Sequence, residues 1–214
     1  MINVFDYRKH KPAIIDINER QRRKWDLEEN VGFINGLTFG NIYKIRNENL
    51  NNERALYLLG YIEQYVNIIK KDMLMHEGYC HTKKCINESI LFVITPFSLQ
   101  EIPKNTKFEG INKPLFIVYS PKDGLVFKKD NKYRAGSRHI MLTLRNEDGS
   151  LKDWKHIKRL LLHELAHTMC NHVTYREAGN HEGDFKKCEK FLKLLTNKSE
   201  DIQSLEMEII GKLF

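Results

Sequence analysis

The sequence has no long hydrophobic run. Its longest apolar stretch, 90–97, is interrupted by Thr95 and Pro96, and a membrane-spanning helix needs roughly 20 apolar residues. The first eleven residues carry charge, but no apolar segment follows them, so nothing here has the form of a signal peptide. We therefore expect an intracellular chain, cytoplasmic or nuclear and not secreted, with no membrane partner.

Cysteine is also scarce. Four cysteines in 214 residues are too few and too scattered for a disulfide scaffold, so reduced thiols are expected. Cys80 and Cys85 stand with His76 and His81 in one short segment, and this set could hold a structural zinc. A polar loop after a helix explains the same residues, and we favour that simpler alternative.

The composition and length indicate a folded chain with a real core. Hydrophobic residues make up 41% and charged residues 29%, which is ordinary for a globular protein, and the length suits one domain plus an extension. Residues 1–50 show little periodicity. We predict an N-terminal extension of unknown role over 1–50 and one domain over 51–214.

The formal net charge of +7 is a weak indication of an anionic partner such as DNA. A solvated, lysine-rich surface accounts for the same charge equally well. The basic residues concentrate in three clusters: Arg20, Arg22, Arg23 and Lys24; Lys128, Lys129, Lys132, Arg134 and Arg138; Lys152, Lys155, Lys158 and Arg159.

Hydrophobic periodicity predicts a mixture of helices and strands. Apolar residues recur at helical spacing over 52–73, and short β-branched and aromatic runs at 89–95 and 115–119 predict strands. Alternation over 138–145 predicts the clearest strand. Further helices are expected at 183–195 and, as a short one, near the C-terminus.

A helix is also predicted over 151–170. Ser150 and Asp153 have the form of a capping box. Within it lies the pentapeptide His-Glu-Leu-Ala-His at 163–167, and the apolar residues Trp154, Leu161, Leu165 and Met169 cluster on the side of the helix opposite His163 and His167. The helix can therefore bury one face and turn the histidines toward a cleft. Cys170 lies one turn beyond the pentapeptide, and a packing role is expected for it.

The pentapeptide has the spacing of a zinc-binding helix. Residues four apart lie about 40° apart around a helix axis and about 6 Å along it, so His163 and His167 can converge on one ion about 2 Å away. Glu164 lies on the same side, where its carboxylate can accept a proton from activated water. The sequence therefore predicts one catalytic Zn²⁺, with Glu164 as the catalytic residue.

A catalytic zinc normally has three protein ligands and an open position. His172 would face away from the first two ligands if the helix continued that far. His181 lies fourteen residues after His167, beyond the turn-prone Gly179-Asn180 and just before the next helix. We favour His181 as the third ligand. The other candidates are His172, Glu177, Glu182 and Asp184.

Two segments resemble a known family. Leu-Leu-His-Glu-Leu-Ala-His at 161–167, followed by Asn-His-Glu-Gly-Asp-Phe at 180–185, resembles the SprT-like and WLM zinc metalloproteases, which include the Spartan proteases. The third ligand of that group is a histidine in a His-x-x-x-Phe context, which His181 and Phe185 match. The strand Ile-Met-Leu-Thr-Leu-Arg at 140–145 is similar to the one that precedes the active-site helix in WLM domains.

The resemblance implies an α+β, zincin-like fold, with a small mixed sheet whose edge strand precedes the active-site helix. It also implies a metallopeptidase acting on proteins attached to or close to DNA. By this hypothesis the strand at 140–145 is the edge where an extended peptide substrate pairs. An oxyanion stabiliser is expected among Tyr133, Tyr175 and Arg145.

Two other functions fit the same residues. A basic nucleic-acid-binding module could carry a structural or inactive zinc site, in which Glu164 would be dispensable. A zinc hydrolase could instead act on a substrate other than protein. Cleavage assays with and without single-stranded DNA would separate these hypotheses.

Overall fold

The structure, a computed structural model, describes residues 13–14, 33–48, 50–75, 92–93, 95–102, 107–115, 117–118, 137–170 and 181–214. Within these residues it contains a five-stranded mixed sheet, a separate pair of two-residue strands, and four helices of 14 residues or more. The predicted α+β class is confirmed. None of these helices is both long enough and apolar enough to cross a membrane.

The main sheet combines parallel and antiparallel pairs. In chain order the strands are β1 (Ala13–Ile14), β2 (Phe33–Thr38), β3 (Asn41–Arg46), β4 (Phe97–Glu101), β5 (Gly110–Leu115), β6 (Ile117–Val118) and β7 (Ser137–Leu142). The sheet has the order β2-β3-β4-β7-β5; β4 runs parallel to both of its neighbours, and the two outer pairs are antiparallel. Strands β1 and β6 pair with each other.

A tight hairpin joins β2 to β3. Its two turn residues, Phe39 and Gly40, both have positive φ, at 46° and 80°, as two-residue hairpin turns that match the strand twist require. Strand β3 then delivers Tyr43 and Ile45 to the hydrophobic core. Residues 33–46 thus form two strands of the same sheet as β4, β5 and β7.

The helix predicted over 52–73 is confirmed as α1 (Asn52–Met75). It packs across the sheet and against the two C-terminal helices. Its apolar face is fully covered, as the helical spacing in the sequence predicts. The buried residues of this face include Ala55, Leu58, Leu59, Ile62, Val66, Ile69 and Met73.

Three further helices follow: α2 (Trp154–Met169), α3 (Asp184–Lys198) and α4 (Glu200–Leu213). The predicted C-terminal helix is thus present, and with 14 residues it is longer than the short helix expected. Helix α4 packs on α1, where the hydroxyls of Tyr61 and Tyr65 donate to Glu208 at 3.0 Å and to Glu206 at 2.9 Å. Its buried face consists of Ile202, Leu205, Ile209 and Leu213.

The strand predicted over 89–95 is wrong at the residues of this segment that the structure describes, 92–93 and 95. Phe92 and Val93 are helical, and the strand begins only after Pro96, as β4. Only Phe97 and Leu99 are apolar in β4, and its Gln100 and Glu101 are polar although buried, so this short segment gives only a weak strand signal. The strand predicted over 115–119 is confirmed at each of its described residues: Leu115 ends β5, which begins at Gly110, and Ile117–Val118 form β6.

The predicted edge position of the strand at 140–145 is also wrong. Strand β7 ends at Leu142 and lies inside the sheet, between β4 and β5. Ile140, Met141 and Leu142 are each at most 1% exposed, so both faces of β7 are covered. On this side the edge strand is β5, which runs antiparallel to β7.

A buried ionic network ties the sheet to the start of α1. Arg145 forms a two-point contact with Glu101, at 2.9 and 2.6 Å, and donates to the carbonyl of Arg46 at 2.6 Å and to the Asn52 side chain at 2.8 Å. Glu101 also accepts from the backbone N–H of Arg46 at 2.8 Å and from its Nε at 3.1 Å. The side chains of Arg145 and Glu101 are 0% exposed.

We predict that Glu101→Gln lowers the free energy of unfolding by about 3–5 kcal/mol, because it leaves two guanidinium groups without their buried counter-charge. Denaturant unfolding measures the loss. Glu147→Gln, in an exposed turn, is the matched control and should change stability by less than about 0.5 kcal/mol. A loss at Glu101 no larger than in the control would show that Glu101 does not compensate the arginines.

Candidate metal centre

The histidine-bearing helix α2 begins three residues later than predicted. Asp153 is its N-cap and accepts from the backbone N–H of His156 at 2.8 Å. The Ser150 hydroxyl instead donates to Asp148 at 2.6 Å, within the preceding turn. Leu151 forms an isolated bridge with Arg145, so it is extended rather than helical. The predicted capping box is therefore wrong, although the helix itself is present.

Helix α2 buries its apolar side and leaves its histidines at the boundary of the core. Trp154, Leu161 and Leu165 are at most 5% exposed. His167 is 6% exposed, and His163 is half-buried. The helix is thus amphipathic in the sense that the sequence predicts, with the imidazoles on the side away from the core.

Three imidazoles converge beside this helix. His163, His167 and His181 each offer one nitrogen, and the three nitrogens lie within 4.8 Å of one another. The Nε2 atoms of His167 and His181 are 3.3 Å apart. In the described part of the chain this is the one group of three or more His, Cys, Asp or Glu side chains placed to share a metal ion.

Phe185 packs against all three imidazoles. Its ring centroid lies 5.0 Å from that of His163, 4.6 Å from that of His167 and 4.8 Å from that of His181. Phe185 is 3% exposed and lies in the first turn of α3, which follows Gly183 at a positive φ of 57°. The turn at Gly183 and the anchored phenylalanine together bring His181 back to α2.

One nitrogen–nitrogen distance in this cluster matches a zinc site. Nitrogen ligands lie about 2.0–2.1 Å from zinc, so two of them in a tetrahedral site are about 3.3–3.4 Å apart. The 3.3 Å between the Nε2 atoms of His167 and His181 has this value. His181 is exposed to solvent. The three imidazoles therefore leave room for the open fourth coordination position of a catalytic zinc.

Glu164 faces the neighbouring sheet edge. Its carboxylate lies against Gly110 of β5, where a Cβ would collide with Oε1 and would approach Cγ and Cδ to 3.1 Å. Glu164 is 5% exposed, and this burial raises the pKa of its carboxyl group to about 8. A bound dication nearby would oppose the rise, since it favours the charged form.

Asn112 fixes α2 to β5, and sequence analysis missed it. Its side-chain amide donates to the backbone carbonyl of Glu164 and to the Thr168 hydroxyl, the latter at 2.7 Å. The Asn112 oxygen accepts from Arg138 at 3.4 Å. No local pattern marks this asparagine, because its role exists only once β5 lies along the helix.

Two charged side chains of α3 lie beside His163. Oε1 of Glu189 lies 3.9 Å from its Nδ1, and Lys193 contacts the same carboxylate at 3.3 Å. Burial lowers the pKa of His163 below its usual value, and the neighbouring His181 lowers it further, while Glu189 acts in the opposite direction. The imidazole therefore favours the neutral form that metal binding requires.

The other predicted site residues have different environments. Glu182 and Asp184 are exposed and are outside the three-histidine cluster; Asp184 pairs with Lys187 at 3.2 Å. Arg145 is wrong as an oxyanion stabiliser, because it is buried in the network with Glu101. The remaining candidates lie outside the described residues: His172, Glu177, Tyr133, Tyr175, His76, Cys80, His81 and Cys85.

Cys170 packs between helices, as expected. Its sulfur lies 3.0 Å from that of Cys188 on α3, and the two are thiols, not a disulfide. Cys188 is 7% exposed. The contact adds to the α2–α3 interface that carries the histidines.

Part of the predicted basic surface is neutralised. Arg138 is 1% exposed, so its assignment to a surface cluster is wrong. Lys152 pairs with Glu109 at 3.1 Å and Lys158 with Glu206 at 2.7 Å. The clusters at 20–24 and 128–134 lie outside the described residues.

Comparison with known proteins adds no relative. No protein-family model matches the chain, and no curated protein or solved structure matches it significantly. The resemblance to SprT-like and WLM proteases therefore rests on the sequence motifs alone.

We predict that His181→Ala lowers zinc content well below one ion per chain, because two imidazoles on one helix leave the site a ligand short. Metal analysis of the purified variant measures this. The matched control is His156→Ala, on the same helix but outside the cluster, which should keep the wild-type zinc content. Full zinc content in His181→Ala would assign the third ligand to another residue.

Proposed function

We propose that this chain is a zinc-dependent metallopeptidase of zincin-like architecture. One observation carries the proposal: three imidazole nitrogens share a space of zinc dimensions, and the glutamate between the first two reaches the neighbouring sheet edge. His163, His167 and His181 would hold the ion. Zinc in that position would supply a Lewis acid that polarises a carbonyl and lowers the pKa of water.

Glu164 would perform the proton transfers. Burial raises the pKa of its carboxyl group when no metal is bound, and the proposed zinc would oppose that rise and favour the carboxylate that accepts a proton. It would take a proton from the attacking water and deliver that proton to the nitrogen of the leaving amine. The backbone carbonyl of Glu164 accepts from Asn112, which restrains the helix at this residue.

The substrate would lie along β5. This strand ends the order of the main sheet, so the described residues include no strand on its outer side. An extended peptide can add to such an edge through backbone hydrogen bonds. Gly110 lies in β5 directly against the Glu164 carboxylate, so a peptide paired with β5 would pass close to the catalytic group.

Protein substrates attached to or close to DNA are the proposed class. The support is the motif resemblance, together with the net charge of +7. Helix α3 also carries the exposed lysines Lys186, Lys190 and Lys193, and Lys193 pairs with Glu189, which lies next to His163. These cations suit an anionic partner near the site.

A nucleic-acid-binding module with a structural zinc is the alternative. Structural zinc sites normally have four protein ligands, whereas the described residues bring only three together. A structural site would also give no reason to bury a glutamate against a sheet edge. These two observations favour the peptidase, and the exposed lysines fit either function.

We predict that Glu164→Gln keeps one zinc per chain but lowers peptide cleavage by about 10²–10⁴-fold, because the amide cannot accept a proton. The assay is cleavage of an unstructured basic polypeptide, with and without single-stranded DNA. Glu200→Gln, exposed at the start of α4, is the control and should cleave normally. Full activity in Glu164→Gln would discard the mechanism; DNA binding by a wild-type chain that never cleaves would favour the alternative.

We also predict that Gly110→Ala lowers kcat by about 100-fold, because the new Cβ displaces the Glu164 carboxylate by a fraction of an ångström or more. Zinc content should stay at one ion per chain. Gly211→Ala is the matched control, since a Cβ there meets nothing within 4 Å. Unchanged kcat in Gly110→Ala would separate Glu164 from the reaction.

A further inference from the structure

Glu189 on α3 faces the first histidine of the cluster. Its Oε1 is 3.9 Å from Nδ1 of His163, and the two side chains are 24% and 33% exposed. Glu189 lies one helical turn after Phe185, the residue that packs on all three imidazoles. The carboxylate is therefore on the same helix as the phenylalanine that packs against the cluster.

The orientation of the His163 ring assigns its two nitrogens to different partners. Because Nδ1 faces Glu189, Nε2 is the nitrogen left for the other two imidazoles. A histidine that binds a metal through one nitrogen almost always donates the N–H of its other nitrogen to a carboxylate, a carbonyl or water. Glu189 is the carboxylate in the right position for that contact.

Lys193 competes for the same group. Its Nζ lies 3.3 Å from Oε1 of Glu189, and its side chain is 49% exposed. A solvent-exposed ion pair four residues apart on a helix is weak. A better oriented donor such as an imidazole N–H can therefore draw the carboxylate away from the lysine.

We propose that Glu189 is a positioning residue for His163. It accepts a hydrogen bond from Nδ1–H when the cluster binds metal, and this fixes the tautomer and the ring orientation that present Nε2 to the ion. The contact must shorten by about 1 Å to reach hydrogen-bond distance. The inference rests on the zinc site of the proposed function.

The test measures zinc affinity by competition with a chromophoric chelator, for the full chain and three variants. Glu189→Ala should weaken zinc binding by about 10–100-fold, the usual effect of removing such a partner. Glu189→Gln should recover part of the loss, because its amide oxygen still accepts a hydrogen bond. Lys193→Gln should bind zinc as tightly as wild type or more tightly, because the carboxylate is freed for His163.

A second readout distinguishes positioning from simple structural support. The absorption spectrum of the Co²⁺-substituted protein should change in Glu189→Ala and return toward wild type in Glu189→Gln. The thermal unfolding midpoint of the metal-free protein should be similar for all three variants, since the Glu189–Lys193 pair is a surface contact.

Two outcomes would overturn the assignment. Zinc affinity within twofold of wild type in both Glu189 variants would show that the carboxylate serves only Lys193. Equal losses in Glu189→Ala and Lys193→Gln would indicate that the ion pair, not the contact with His163, matters. A wild-type chain without measurable zinc affinity would overturn the proposed function itself, a result distinct from tight wild-type binding with unaffected variants.

Discussion

The packing of Phe185 between α2 and α3 is the constraint on which the candidate site depends. Two imidazoles on one helix converge through helical geometry alone, but the third comes from a residue fourteen positions later. Phe185 is buried against all three rings, so the hydrophobic effect that docks α3 on α2 also closes the cluster. The Cys170–Cys188 contact lies in the same interface, and core packing thus sets the geometry of a polar site.

The sequence predicted the helices better than the sheet. Helix α1 was predictable because it buries one continuous apolar stripe, a local pattern. Strand β4 was not, because its buried Glu101 is neutralised by Arg145 and Arg46, which are far away in the sequence. The interior position of β7 did leave a signal in the uninterrupted apolar run 140–142, which is typical of strands covered on both faces. The residues of β7 do not, however, indicate which strands lie beside it in the sheet.

Within the site, the predictable part is the part that local geometry determines. The spacing of His163 and His167 follows from the helix itself, and His181 could be chosen because a turn and a helix start flank it. Asn112 and Glu189 could not be found, since an asparagine in a short strand and a glutamate in a lysine-rich helix look ordinary in sequence. Their positions become informative only after β5 and α3 are placed against α2.

The buried network around Arg145 has a consequence for how this protein can be divided. The Arg46 carbonyl accepts from Arg145, and the Arg46 guanidinium donates to Glu101. The β2–β3 hairpin therefore supplies partners to two buried charged groups, and the loss of such partners has a large energetic cost. A fragment beginning at residue 51 would expose the side of β4 that β3 covers and would remove the Arg46 groups that contact Arg145 and Glu101. The hairpin is therefore an integral part of the folding unit rather than a removable appendage, and a functional fragment of the chain should retain it.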